Sequence, residues 1–156
     1  MTDALGYRCK LAVVAPSTNT IVQPEFDRMA PHGVTNHFSR IHIPDDPLGN
    51  DADFEELMVR IRAELMQAVD RAMTARPDYL VMGMSSETFW GGLAGSKELE
   101  AKLMERSGLQ VAMGSDASQA ALRCYGDIKR ISVVTPYMPV GDEAVSYTHL
   151  RAHETR

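Results

Sequence analysis

The sequence predicts an α/β fold, a parallel sheet flanked by helices, in which a first lobe is followed by the start of a second. Three observations carry that prediction. Short, largely apolar runs recur at residues 10–15 and 78–84, the pattern of strands covered on both faces. Between them lie longer segments whose apolar residues recur every three or four positions, as amphipathic helices require. The segment Lys10-Leu-Ala-Val-Val-Ala-Pro16 returns as Arg130-Ile-Ser-Val-Val-Thr-Pro136, with a strand, a proline and a polar residue in the same register both times.

Taken in order, Lys10 to Ala15 reads as the first strand, ended by Pro16. Pro24, followed by Glu25, Phe26, Asp27 and Met29, reads as a short helix with proline in its first turn and acids near its N-terminus. Val34 to Ile43 is a second strand, closed by the turn cluster Pro44-Asp45-Asp46-Pro47. From Asp53 to Ala75 the residues Phe54, Leu57, Met58, Ile61, Leu65, Ala68, Val69, Ala72 and Met73 mark one face of a long helix. Asp78 to Met84 is a third strand. Ser96 opens a helix that Gly108 closes, Leu109 to Met113 is a strand, and Ser115 to Tyr125 is a helix capped by Gly126. Alternating strands and helices of this kind wind a parallel sheet.

The chain therefore divides into a first α/β lobe at 1–126 and the beginning of a second at 127–145. A polar tail follows at 146–156; it lacks helical period and resembles translated sequencing-adapter DNA, which marks it as non-native. A complete second lobe would need roughly another hundred residues, so the second lobe is expected to be truncated.

Bulk properties narrow the function. With 156 residues, 44% of them apolar, the chain has enough material for one core. A net charge of -5 with interspersed signs provides neither a basic face for nucleic acid nor a polybasic run for a membrane. No apolar stretch reaches membrane-spanning length and no signal peptide is evident, so a cytoplasmic protein with small-molecule partners is expected. Cys9 and Cys124 lack CxxC spacing and read as buried structural thiols. His149 and His153 sit four apart without the HExxH glutamate, so no metal site is expected.

In open α/β sheets ligands bind beyond the carboxyl ends of the strands. Three such loops carry polar chemistry. Pro16-Ser17-Thr18-Asn19-Thr20 offers hydroxyl, amide and backbone donors suited to a carboxylate, although the same residues serve as ordinary caps and turns. Gly83-Met84-Ser85-Ser86-Glu87 combines a glycine that admits close approach with two serine donors; it lacks the GxSxG spacing of a nucleophile elbow. Thr135-Pro136-Tyr137 ends the repeat strand, and a pseudo-twofold relation between lobes would set Tyr137 opposite Asn19, packing in a core being its alternative role. Neither GxGxxG nor a P-loop occurs, and Gly91-Gly92-Leu93-Ala94-Gly95 reads as a plain loop.

Together, Val14-Ala-Pro-Ser-Thr-Asn-Thr20, Tyr79-Leu-Val-Met-Gly-Met-Ser-Ser86 and Val133-Val-Thr-Pro-Tyr137 resemble the loops of the maleate isomerase and arylmalonate decarboxylase branch of the aspartate/glutamate racemase superfamily, over residues 8 to 145. The resemblance implies two pseudo-symmetric lobes facing across a cleft, cofactor-free and metal-free chemistry on a small dicarboxylate, and a cysteine from the second lobe as acid or base. It further implies that Pro16, Ser17 and Asn19 bind a substrate carboxylate, that Ser85 with Met84 and neighbouring N–H groups forms an anion hole, and that Tyr137 adds a donor. Gly83 stands where the isomerases have their first cysteine, as in the decarboxylases, so a two-cysteine racemase is not expected. No residue of this chain is a convincing catalytic group. The chain by itself is expected to be inactive, the alternatives to a lyase or isomerase being a non-catalytic carboxylate-binding domain or a flavin- or nucleotide-binding sheet; the resemblance leaves room for an oligomer.

Overall fold

The computed structural model describes residues 3–44, 51–85, 88, 91–128 and 130–134, apart from the side chains of residues 51, 52, 54, 55 and 58. Tyr137, Thr135, Pro136, Ser86, Glu87, the histidines at 149 and 153 and the 146–156 tail lie outside the described residues.

The described elements run β1 (Cys9–Pro16), α1 (Val22–Met29), β2 (Val34–Ile41), α2 (Asp51–Met73), β3 (Tyr79–Met82), α3 (Gly92–Ser107), β4 (Val111–Ala112) and α4 (Gly114–Arg123). The strands form one sheet in the order β2-β1-β3-β4, every pair parallel. β1 is central, with Val13 in register with Phe38 on one side and Val81 on the other. That position explains its unbroken apolar run, since Ala12, Val13, Val14 and Ala15 are all fully buried.

One face of the sheet holds the main core. Ala12, Val14, Ile41, Leu80, Met82 and Val111 meet Leu57, Ile61, Leu65, Ala68, Val69 and Ala72 of α2 and Leu99 and Leu103 of α3. The helical positions fall on the three- and four-residue spacing predicted for α2, which turns that stripe onto the sheet. Each fully buried leucine there contributes about 1.5–3 kcal/mol relative to exposure. The opposite face is covered in part by α1, whose Phe26 ring meets Phe38 edge-on at 5.9 Å between centroids.

Several predicted boundaries move for local reasons. α3 begins at Gly92, behind a left-handed Gly91 with φ 83°, and Ser96 is buried one turn inside it instead of capping it. A small side chain is what fits there, and its identity as a common cap residue misled the sequence reading. α2 unwinds over Thr74 and Ala75 to Arg76, which takes φ 51° just before Pro77. β4 is only two residues long, because Gly108 turns the chain at φ 70° and the ladder to β3 starts at Gln110, whose carbonyl accepts from Leu80 N–H.

Two expectations are corrected outright. The cysteines are not buried: Cys9 is half-buried at the start of β1, and Cys124 is exposed at the end of α4, where its thiol donates to Ala120 O at 3.4 Å. α4 buries only Ser115, so its far end has no core to enter. Residues 130–134, predicted as a strand, belong to no strand and are exposed, Val134 at 97%. An apolar run forms a strand only where a sheet edge receives it, and among the described residues no strand pairs with this one.

Candidate functional site

The site is built where the sheet topology places loop ends together, at the carboxyl ends of β1, β3 and β4. A cavity of about 420 Å³ opens there, lined by Pro16, Asn19, Val22, Phe26, Met82, Gly83, Met84, Ser85 and Gly114. Five of the residues singled out in the sequence, Pro16, Asn19, Gly83, Met84 and Ser85, meet on this one wall.

Asn19 is held firmly. Its Oδ1 accepts from Ile21 N–H and Val22 N–H, both at 2.9 Å, and so stands in for the absent side-chain cap of α1. Because both partners are donors, the oxygen of the amide is the atom that faces them, and the Nδ2 group remains as the hydrogen-bonding end turned elsewhere. The loop before it is a tight turn, with Asn19 N–H donating to Pro16 O at 3.2 Å. Ser17 does not line the cavity. Its N–H donates to Ile41 O and its Oγ accepts from Ile43 N–H, which fastens the loop to the end of β2.

Gly83 extends the β1 to β3 ladder, its N–H donating to Val14 O at 2.7 Å. A Cβ at this position would lie 3.0 Å from Val14 O, 3.1 Å from Val13 Cγ1 and 3.3 Å from the Ala15 Cβ, so β1 leaves no ordinary room for a side chain. Ser85 is exposed at the cavity rim, and its carbonyl accepts from the hydroxyl of Thr88 at 2.7 Å. Thr88 is fully buried and also packs against Gly114, where an added Cβ would meet Thr88 Oγ1 at 3.3 Å. This threonine thus ties the loop after β3 to the start of α4.

Sequence reasoning missed Thr88, Gly114, Val22, Phe26 and Met82. Gly114 was legible, because the loop after β4 obeys the same end-of-strand rule as the other three. Neither cysteine lines the cavity. Cys9 sits at the opposite end of β1, about 23 Å along the strand from Pro16 at 3.3 Å per residue. Burial, followed by the negative charge of Asp78, pushes its thiol up, away from a reactive thiolate. Among the described residues no group of three or more His, Cys, Asp or Glu could hold a metal ion, and no helix is long and apolar enough to cross a membrane.

No protein-family model and no curated protein matches the chain. Solved structures do. A liganded double variant of arylmalonate decarboxylase, glycine to cysteine and cysteine to serine, superposes with a TM-score of 0.73 over 92% of this chain at 16% identity. The Nocardia farcinica maleate cis-trans isomerase bound to Tris gives a TM-score of 0.68 over 89% at 21% identity. Its cysteine-to-serine variant with a covalently bound succinylcysteine intermediate gives 0.66 over 89% at 20% identity. The chain spans 57–58% of the length of these proteins. It shares their fold: a parallel four-stranded sheet flanked by helices.

Proposed function

We propose that this chain is the carboxylate-holding lobe of a cofactor-independent lyase or isomerase of small dicarboxylates, with the proton-handling thiol supplied by a second lobe across the cavity. The convergence of Asn19, Gly83 and Ser85 on one cavity beyond the strand ends carries the reading. The shared fold with arylmalonate decarboxylase and maleate cis-trans isomerase, and the position of both cysteines away from the cavity, support it.

The chemistry asked of such a site is stabilisation of a carbanion. In a decarboxylation, the bond from the α-carbon to one carboxylate breaks, carbon dioxide leaves, and the electron pair spreads into the remaining carboxylate as an enediolate. In this reading Asn19 and Ser85, which both line the cavity, donate to that charge. A thiol S–H on the far face then gives its proton to the α-carbon and is reprotonated from solvent. In an isomerisation, the thiolate would add to the double bond instead, allowing rotation before it departs. Gly83 leaves the near face without a thiol, which favours single-thiol chemistry.

Asn19→Asp tests the reading. An aspartate caps α1 as well as asparagine does, so stability is expected to hold, while the added charge and the lost Nδ2 donor repel a carboxylate. Thermal-shift titration with malonate and with maleate should stabilise the wild-type chain and leave the variant unmoved. A wild-type protein indifferent to both ligands rules the reading out. In the whole protein, binding without decarboxylation of a substituted malonate or isomerisation of maleate would identify a binding domain instead.

A further inference from the structure

Arg40 stands on β2 in register with Ala15, one strand away from the cavity and not among its lining residues. Its guanidinium nevertheless reaches over the end of β1. Nη1 donates to Asn19 O at 2.8 Å and to Pro16 O at 3.1 Å, and Nη2 donates to Gln23 Oε1 at 2.8 Å. The guanidinium carbon lies 5.3 Å from the centroid of the Phe38 ring. One half-buried cation thus grips both ends of the Pro16 to Asn19 turn and the first turn of α1.

We propose that Arg40 is a positioning residue for carboxylate binding: it sets the turn that presents Asn19 to the cavity without touching the ligand itself. The inference rests on the carboxylate reading above. Three features of the geometry support it. Arg40 makes three donations to protein acceptors, two of them to backbone carbonyls of the turn, so its role there is to hold the loop. In a trans peptide the N–H points opposite the carbonyl, so fixing Asn19 O toward Arg40 turns the Thr20 N–H away from Arg40. Arg40 is itself held from behind, its own carbonyl accepting from Arg71 Nη2 at 3.2 Å. The planar fork donates from two nitrogens held in fixed geometry, Nη1 to the two carbonyls and Nη2 to Gln23, an arrangement that the single Nζ of a lysine on its flexible stem does not reproduce.

The test compares wild type, Arg40→Lys and Gln23→Ala in the intact chain, using malonate as the probe. Arg40→Lys keeps the charge and loses the fork; its dissociation constant for malonate should rise about tenfold or more, as expected when hydrogen bonds to a charged group are lost. Gln23→Ala removes the one contact outside the turn and leaves both carbonyl bonds that hold it, so affinity should change less than about threefold. Amide hydrogen exchange supplies a ligand-free readout. In Arg40→Lys the Asn19, Ile21 and Val22 amides should exchange faster, while Leu80 and Gly83 in the sheet stay protected as in wild type. Unchanged malonate affinity in Arg40→Lys, with wild type binding normally, overturns the positioning role alone. Loss of protection throughout the sheet would show Arg40 to be a general stabiliser and also overturn it. A wild type that binds no malonate overturns the carboxylate reading, and this proposal with it.

Discussion

Gly83 offers the sharpest mechanical prediction. Replacing it with alanine places a Cβ 3.0 Å from Val14 O, 3.1 Å from Val13 Cγ1 and 3.3 Å from the Ala15 Cβ. Two of these neighbours are fixed parts of the central strand, and Gly83 N–H already donates to the same Val14 carbonyl at 2.7 Å. The strands must therefore part by a few tenths of an ångström at a ladder bond. Overpacking of this kind costs about 1–3 kcal/mol. The backbone of Gly83 is not among the positive-φ glycines, so alanine recovers about 0.4–1 kcal/mol by restricting the unfolded chain. The expected net loss is about 1–2 kcal/mol, a fall of roughly 2–8 °C in melting temperature for a chain of this size. Gly83→Cys carries the same Cβ and should lose at least as much. Urea denaturation followed by circular dichroism reads the difference as a lower midpoint at unchanged slope. An alanine variant as stable as wild type would refute the claim that β1 excludes a side chain here.

Leu65→Ala empties a fully buried position between α2 and the sheet and should cost about 3–5 kcal/mol in the same urea titration. Thr88→Val keeps shape but removes the hydroxyl that donates to Ser85 O; a loss of about 1 kcal/mol is expected, together with faster proteolysis near residue 85 if the loop loosens. The carboxyl of Asp70 is held below the usual range by hydrogen bonding from Arg106, and that of Glu98 by Lys102. Carboxylates lowered in this way stabilise the fold above their unfolded pKa, and that contribution is lost as pH falls through the lowered value. Asp70→Asn should accordingly flatten the decline in unfolding midpoint below about pH 4, and an unchanged profile would show the pair to be idle. Lys97, raised by the hydrogen bonds it donates to Asp116 and then Glu100, runs the other way. Its contribution is complete below about pH 10, the ordinary lysine range, and is lost as pH rises through the raised value; Lys97→Met should remove that alkaline loss in a pH-dependent melting series.

What the sequence determined by itself was local and periodic. Burial on both faces forces a continuous apolar strand, so Lys10 to Ala15 announced β1, and a helix lying on a sheet must repeat its apolar residues every three or four positions, so the stripe from Phe54 to Met73 announced α2. The rule that parallel strands expose their carboxyl ends to ligands then singled out the loops that carry Asn19, Gly83 and Ser85. Tertiary structure decided which polar groups are already committed. Ser17 is engaged by Ile43, Gly83 N–H by Val14, and the turn at Pro16 by Arg40, a residue 24 positions away that carried no motif. Those commitments depend on the register of β2 against β1, and likewise Gly114 reaches the cavity only because β4 pairs with β3. Hydrogen bonds between distant segments follow from how the strands align, and no residue pattern within a single loop records that alignment.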